Sequence, residues 1–168
     1  MLLANEDPKV PPLVSPNGII YAALFNFGVV AVESQPYISP AAILFSVESG
    51  SPVVGGMTLG ADGTLYGNAQ GTLFAAYTSC PGKINWRSHF YAASTNVVLS
   101  NSTVIAGTWS NNAFGVCTQG ACAGMLQWSA QLPQSTTAHL FNSGSASRDG
   151  ARLFVGSLDR SVYCLALV

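Results

Sequence analysis

The chain is 168 residues long, 49% hydrophobic and only 8% charged, with a formal net charge of −1. A hydrophobic fraction of that size over one domain length is enough to bury a core and excludes a disordered chain. Six Lys and Arg scattered singly exclude the clustered basic surface that nucleic acid needs, and no apolar run approaches the roughly 18–20 residues of a membrane-spanning helix.

With charged residues so far below the roughly 25% of ordinary soluble domains, the surface must be made polar by Ser, Thr, Asn, Gln and Gly. That composition suits a secreted, luminal or periplasmic β protein. The opening ten residues, MLLANEDPKV, lack the charged start and long apolar centre of a secretory signal, so an export signal is expected to lie outside this sequence.

Along the chain, residues 1–9 are expected to form a tail or a strand lent to another sheet. A unit then recurs four times: an apolar strand, a turn on Asn-Gly or Asp-Gly, a hairpin of two strands, and a short outer strand carrying an aromatic residue. The first copy (10–49) has strands at 12–14, 19–24, 29–33 and 43–47, a turn at Asn17-Gly18, and Phe45 at the aromatic position. The second (52–90) has strands at 53–59, 64–68, 72–77 and 82–86, with Asp62-Gly63 at the turn and Trp86 at the end. The third (94–132) has strands at 97–99, 103–109, 113–117 and 124–128, with Asn101-Ser102 at the turn and Trp128 repeating the Gly-to-Trp spacing of Gly82 to Trp86. The fourth (136–168) has strands at 138–142, 152–157 and 161–167 with Asp149-Gly150 at the turn, and lacks the outer strand. No segment shows a helical period, so the fold class is all-β. Four-stranded units at about this spacing are the mark of propeller blades stacked radially.

Residues 150–165, GARLFVGSLDRSVYCL, resemble the PQQ-like repeat of quinoprotein-type β-propellers, which reads roughly G-x-x-V-Y-V-G-S-x-D-G-x-L-Y-A-L-D. Residues 62–86 resemble it nearly as well and add an ending similar to the family's T-G-K-x-x-W as Pro81-Gly82-Lys83-Ile84-Asn85-Trp86. The chain departs from the pattern at Tyr77, where the family has Asp, at Arg160, where it has a hairpin Gly, and at the insertion between Cys117 and Cys122. The resemblance implies four-stranded antiparallel blades in a partial or half ring, with Phe45, Trp86 and Trp128 docking between blades. Whole rings in the family usually have seven or eight blades. Three arrangements follow: a piece of a longer propeller, a homodimer completing one ring by two-fold symmetry, or a small ring whose last blade borrows residues 2–4 as its outer strand.

The family contains enzymes and binding modules. The primary expectation is a non-catalytic scaffold engaging protein or glycan partners through blade edges and face loops. The alternative is the structural portion of a PQQ-dependent quinoprotein dehydrogenase whose catalytic residues lie outside this chain; pyrroloquinoline quinone and calcium enter only under that alternative. The seven carboxylates are dispersed at turns and strand ends and there is no adjacent Cys pair, whereas a calcium cage needs six to eight converging oxygens. No catalytic, cofactor or metal residue is therefore assigned.

Several residues invite a role. Asn17, Asp62 and Asp149 read as turn formers. Trp109, on a hairpin strand, is a candidate for a binding surface. His89 and His139 have no partner at a recognised catalytic or zinc spacing. Cys117 and Cys122 bracket four residues and fit a disulfide closing a hairpin loop in an oxidising compartment, with free thiols or a metal as the other options. Cys80 and Cys164 are expected to be small, buried and unpaired. Asn101-Ser102-Thr103 matches an N-glycosylation acceptor at a turn.

Overall fold

The computed structural model describes residues 10–24, 28–33, 43–53, 55–78, 82–88, 98–100, 103–107, 112–131, 140–157 and 160–167. Within them the chain forms four antiparallel sheets in sequence order. The first holds β1 (Leu13–Val14), β2 (Ile19–Leu24), β3 (Gly28–Glu33) and β4 (Ile43–Val47); the second holds β5 (Thr58–Leu59), β6 (Thr64–Ala69), β7 (Thr72–Tyr77) and β8 (Ile84–Arg87). The third holds β9 (Val98–Ser100), β10 (Thr103–Gly107), β11 (Asn112–Cys117) and β12 (Leu126–Gln131). The fourth has three strands, β13 (Leu140–Ala146), β14 (Arg152–Ser157) and β15 (Val162–Ala166). Each sheet is one blade, and within each blade strands adjacent in sequence are adjacent in space.

Two local devices repeat. Before the second strand of blades 1, 2 and 4 lies the same tight turn. The N–H of Gly18, Gly63 or Gly150 donates to the carbonyl of Ser15, Gly60 or Ser147, at 2.9 Å each time. These glycines have φ of +80°, +81° and +70°, a left-handed conformation that costs a side-chain-bearing residue about 1–2 kcal/mol. Asp62 caps its turn by accepting from the Thr64 N–H at 3.0 Å, and Asp149 does the same from Ala151 at 3.1 Å.

The second device is a register shift between the third and outer strands, at Ala31/Val32, Ala75/Ala76 and Gly115/Val116. Each shift leaves one outer residue unopposed, Leu44, Asn85 or Gln127, and sets Phe45, Trp86 and Trp128 opposite Ala31, Ala75 and Gly115. A bulge bends and twists its strand. Here it falls opposite a small residue in every case, and beside Ala75 and Gly115 that leaves room for the rings of Trp86 and Trp128.

Because side chains alternate across a strand, each blade has two apolar faces, and the core consists of seams between blades. The first seam packs Tyr21, Val29 and Ala31 of blade 1 against Leu65, Phe74 and Ala76 of blade 2. The second packs Tyr66, Leu73, Ala75 and Trp86 against Phe114 and Val116 of blade 3. The third joins Ala113 and Trp128 to Leu153, Val155, Tyr163 and Leu165 of blade 4. Blade 2 is covered on both sides, so every residue of β6 is buried.

The observed strands differ from expectation at their ends. The outer strands begin at Ile84 and Leu126, because Gly82 and Gly124 have φ of +77° and +81° and form turns. The inner strand of blade 2 is Thr58–Leu59, with Val53 making only an isolated bridge to Ala69. Strand β13 runs on to Ala146, up to the Ser147 turn. Residues 2–4 lie outside the described residues, and among those described blade 4 ends at β15.

A Cβ on Gly115 would lie 2.3 Å from Trp128 Nε1, whereas one on Gly156 would meet nothing within 4 Å. Gly115→Ala is therefore expected to cost about 1–3 kcal/mol, at roughly 2–4 °C of Tm per kcal/mol for a chain of this size, while Gly156→Ala leaves Tm nearly unchanged. Thermal melts followed by circular dichroism check this, and equal effects from both substitutions would contradict the bulge-and-ring packing.

Candidate interaction surfaces

The second seam is the best defined. Trp86 is 9% exposed, its ring centroid 6.0 Å from that of Tyr66 at a tilt of 44°. Its indole N–H donates to the Thr118 carbonyl at 3.1 Å, so a ring supplied by blade 2 is fixed by backbone of blade 3. Thr118 opens the loop that the Cys117–Cys122 disulfide closes, with Cα atoms 5.7 Å apart. The Cys117 N–H donates to the Met125 carbonyl at 3.0 Å, and the Gly124 N–H returns to the Cys117 carbonyl at 2.9 Å. Of the three options open from the sequence, the disulfide is the one formed.

Between this loop and blade 2 lies a polar cleft of about 400 Å³, lined by Asp62, Thr64, Tyr66, Tyr77, Thr118 and Gln119 among others. Burial, and next the Asp62 carboxylate, push the Tyr66 phenol above its ordinary pKa, against hydrogen bonds with Thr118 and Thr64 that pull it down. Asp149, by contrast, sits on the open surface, and its carboxyl is held below the usual range by the Ser147 hydroxyl and then the Ala151 N–H.

The end blades present a different surface. The pairs Tyr66↔Ala75 in blade 2 and Phe154↔Cys164 in blade 4 occupy the same register position. By the same count Val162 stands where Leu73 stands. Tyr66, Leu73 and Ala75 are 2%, 0% and 0% exposed against blade 3, but Phe154 is 40% and Val162 74% exposed, and Cys164 is exposed. Cys164 was expected to be buried. It is a free, exposed thiol because it sits on the face of β15 turned away from blade 3.

At the opposite end, blade 1 turns Val14, Ile20, Ala22, Val32 and Ile43 away from blade 2. Val14 and Ile43 are 59% and 49% exposed, and Ile20, Ala22 and Val32 half-buried, although central Val30 is buried. The matching residues of blade 2, Leu65, Phe74 and Ala76, are all 0% exposed.

Of the residues singled out in the sequence, Trp86 lies in the second seam, Trp128 packs half-buried on the third, and Phe45 pairs with Ala31. Asn101, Trp109, Cys80, His89 and His139 lie outside the described residues. Tyr66, Thr118, Phe154 and Val162 were not singled out. Aligning the fourth repeat on the second would have put Phe154 and Val162 at positions that the other blades cover. Among the described residues no three His, Cys, Asp or Glu come together as a metal site, and Glu33, Glu48, Asp62 and Asp149 stand on separate strand ends and turns.

No known family profile matches the chain, and no curated protein matches its sequence. Solved structures do. The chain is similar to BamB from Moraxella catarrhalis at 16% identity and a TM-score of 0.67, over 95% of this chain and 45% of that one. It is similar to the computationally designed Ika4 protein at 12% identity and 0.72, over 100% and 96%. It is also similar to a chain of the mitotic checkpoint complex at 13% and 0.71, over 96% and 49%. The chain thus spans about half the length of the two natural proteins and nearly all of the designed one. At these identities the likeness shows the fold, which is β-propeller-like.

Two outcomes follow for the second seam. Replacing Cys117 and Cys122 by Ser is expected to lower stability by about 2 kcal/mol, the chain-entropy value for so short a loop, and to change the near-ultraviolet dichroism of Trp86; denaturant melts with no shift would contradict a structural role for the disulfide. Tyr66 holds its proton to a higher pH folded than unfolded, so above about pH 10 the unfolded chain loses that proton first and stability falls as pH rises. Tyr66→Phe is expected to flatten that part of the alkaline decline in Tm, and an unchanged slope would contradict the burial of the phenol.

Proposed function

We propose that this chain is a non-catalytic β-propeller module of the PQQ-like repeat type, a scaffold that takes hold of protein through the uncovered faces and edge strand of its end blades. The observation that carries this reading is the exposure of Phe154 and Val162 at register positions that are sealed in blade 2. Apolar faces shaped for packing and left bare mark interaction surfaces, and the outer edge of β15, unpaired among the described residues, suits strand addition.

The repeat assignment is supported by residues 62–86 and 150–165 and by the aromatic residue set opposite each bulge. The disulfide and the scarcity of charge support a secreted, luminal or periplasmic setting. A glycan is the second reading, favoured by the cleft where Thr64, Gln119 and the 38%-exposed Tyr77 converge.

Cross-linking mass spectrometry on captured partners tests the scaffold reading. Partner cross-links are expected along 152–166 and 14–33, and Val162→Asp is expected to reduce capture at least tenfold. Cross-links confined to other surfaces, capture indifferent to the substitution, or dye reduction on addition of pyrroloquinoline quinone and calcium would contradict it.

A further inference from the structure

We infer that the occupant of both end faces is a second copy of this chain, two half rings closing head to tail into one ring of eight blades. The inference rests on reading the end faces as binding surfaces, and adds what covers them.

The seams inside the chain state the packing rule. In each, the forward face of one blade meets the backward face of the next: Tyr66, Leu73 and Ala75 against Phe114 and Val116 in the second seam. The register shift identifies the counterparts of Phe114 and Val116 in blade 1 as Val30 and Val32. Blade 4 offers Phe154, Val162 and Cys164 as its forward face, and blade 1 offers Ile20, Ala22, Val30 and Val32 as its backward face. A second copy therefore brings apolar faces together as they already meet in the three seams within one chain. It also covers both ends at once, because the two seams of a two-fold ring are identical.

Curvature decides whether such a head-to-tail contact closes or runs on as a filament. Four blades superpose on 45% and 49% of the length of two longer chains of β-propeller-like fold, and on 96% of a designed chain of similar length; a half circle that two chains complete fits these shares. No core cluster joins blade 4 to blade 1 within the chain: the three clusters lie between blades 1 and 2, 2 and 3, and 3 and 4 among the described residues. A closed four-bladed ring would need the fourth cluster.

Light scattering coupled to size exclusion on the full chain tests this, with Phe154→Asp on the forward face and Ile20→Asp on the backward face. The wild type is expected at about 35 kDa, twice the 17.4 kDa of one chain, and each substituted chain as a folded monomer with at least tenfold weaker self-association. Mixing the two substituted chains is expected to restore a two-chain species, because one of its two seams then carries no substitution. Val162→Asp, at a site 74% exposed, gives the forward-face result again should Phe154→Asp unfold.

A two-chain mass that survives both substitutions overturns the inference, as does a mass of many chains, which means an unclosed filament. A wild-type monomer overturns it too, and an apolar fluorescent dye then separates the remaining cases. Dye binding weakened by Phe154→Asp and by Ile20→Asp leaves the end faces open to a different protein, including further blades, whereas absence of dye binding removes the binding-surface reading as well.

Discussion

A blade of this kind cannot cover itself. Side chains alternate across each strand, so a sheet with Leu65 and Phe74 on one face has Tyr66 and Leu73 on the other, and both must be removed from water. At about 25 cal/mol per Å² of apolar surface, leaving one such face bare forfeits several kcal/mol, comparable to the whole stability of a domain. Stacking blades face to face answers this for interior blades and passes the requirement to the ends. In this chain the interior is sealed at β6 and β7, and the outstanding demand is concentrated at Val14, Ile20 and Ile43 on one side and Phe154 and Val162 on the other.

The other features follow from that constraint. The bulge in the outer strand, set against Ala75 or Gly115 in blades 2 and 3, makes space for a tryptophan ring. In blade 2 that ring reaches across to backbone of blade 3, where the Trp86 N–H meets the Thr118 carbonyl. The disulfide loop holds that carbonyl in place, since it begins immediately after Cys117. Among the described residues the few charges lie largely at turns and strand ends; Asp62 and Asp149 shape the backbone of their own turns.

The repeat made much of this legible beforehand. Asn17-Gly18, Asp62-Gly63 and Asp149-Gly150 marked the turns because only a residue without a side chain takes their backbone conformation cheaply, and the apolar runs between them marked the strands. Cys117 and Cys122 fit a disulfide by spacing alone. Strand ends were less legible: Gly82 and Gly124 fall within the repeat pattern but turn the chain, so the outer strands start two residues later than the pattern suggests. Cys164 was misjudged for a deeper reason. Whether a strand residue is buried depends on what packs against its blade, and local sequence carries no sign of that. The same blindness hid Phe154 and Val162, which read as ordinary core positions.

The central claim is that blade 2 is sealed on both faces while β15 is the outer edge of its blade among the described residues, so protection is greatest in β6 and β7 and least in β15, whatever covers the end faces. Amide hydrogen exchange measured peptide by peptide tests it most directly, since exchange reports local opening free energy. That arrangement predicts the slowest exchange in β6 and β7, intermediate rates in β11, and the fastest among the blade strands in β15, whose outer edge is unpaired among the described residues. Amides of β15 exchanging as slowly as those of β6 would mean that another strand already covers that edge, and would contradict it.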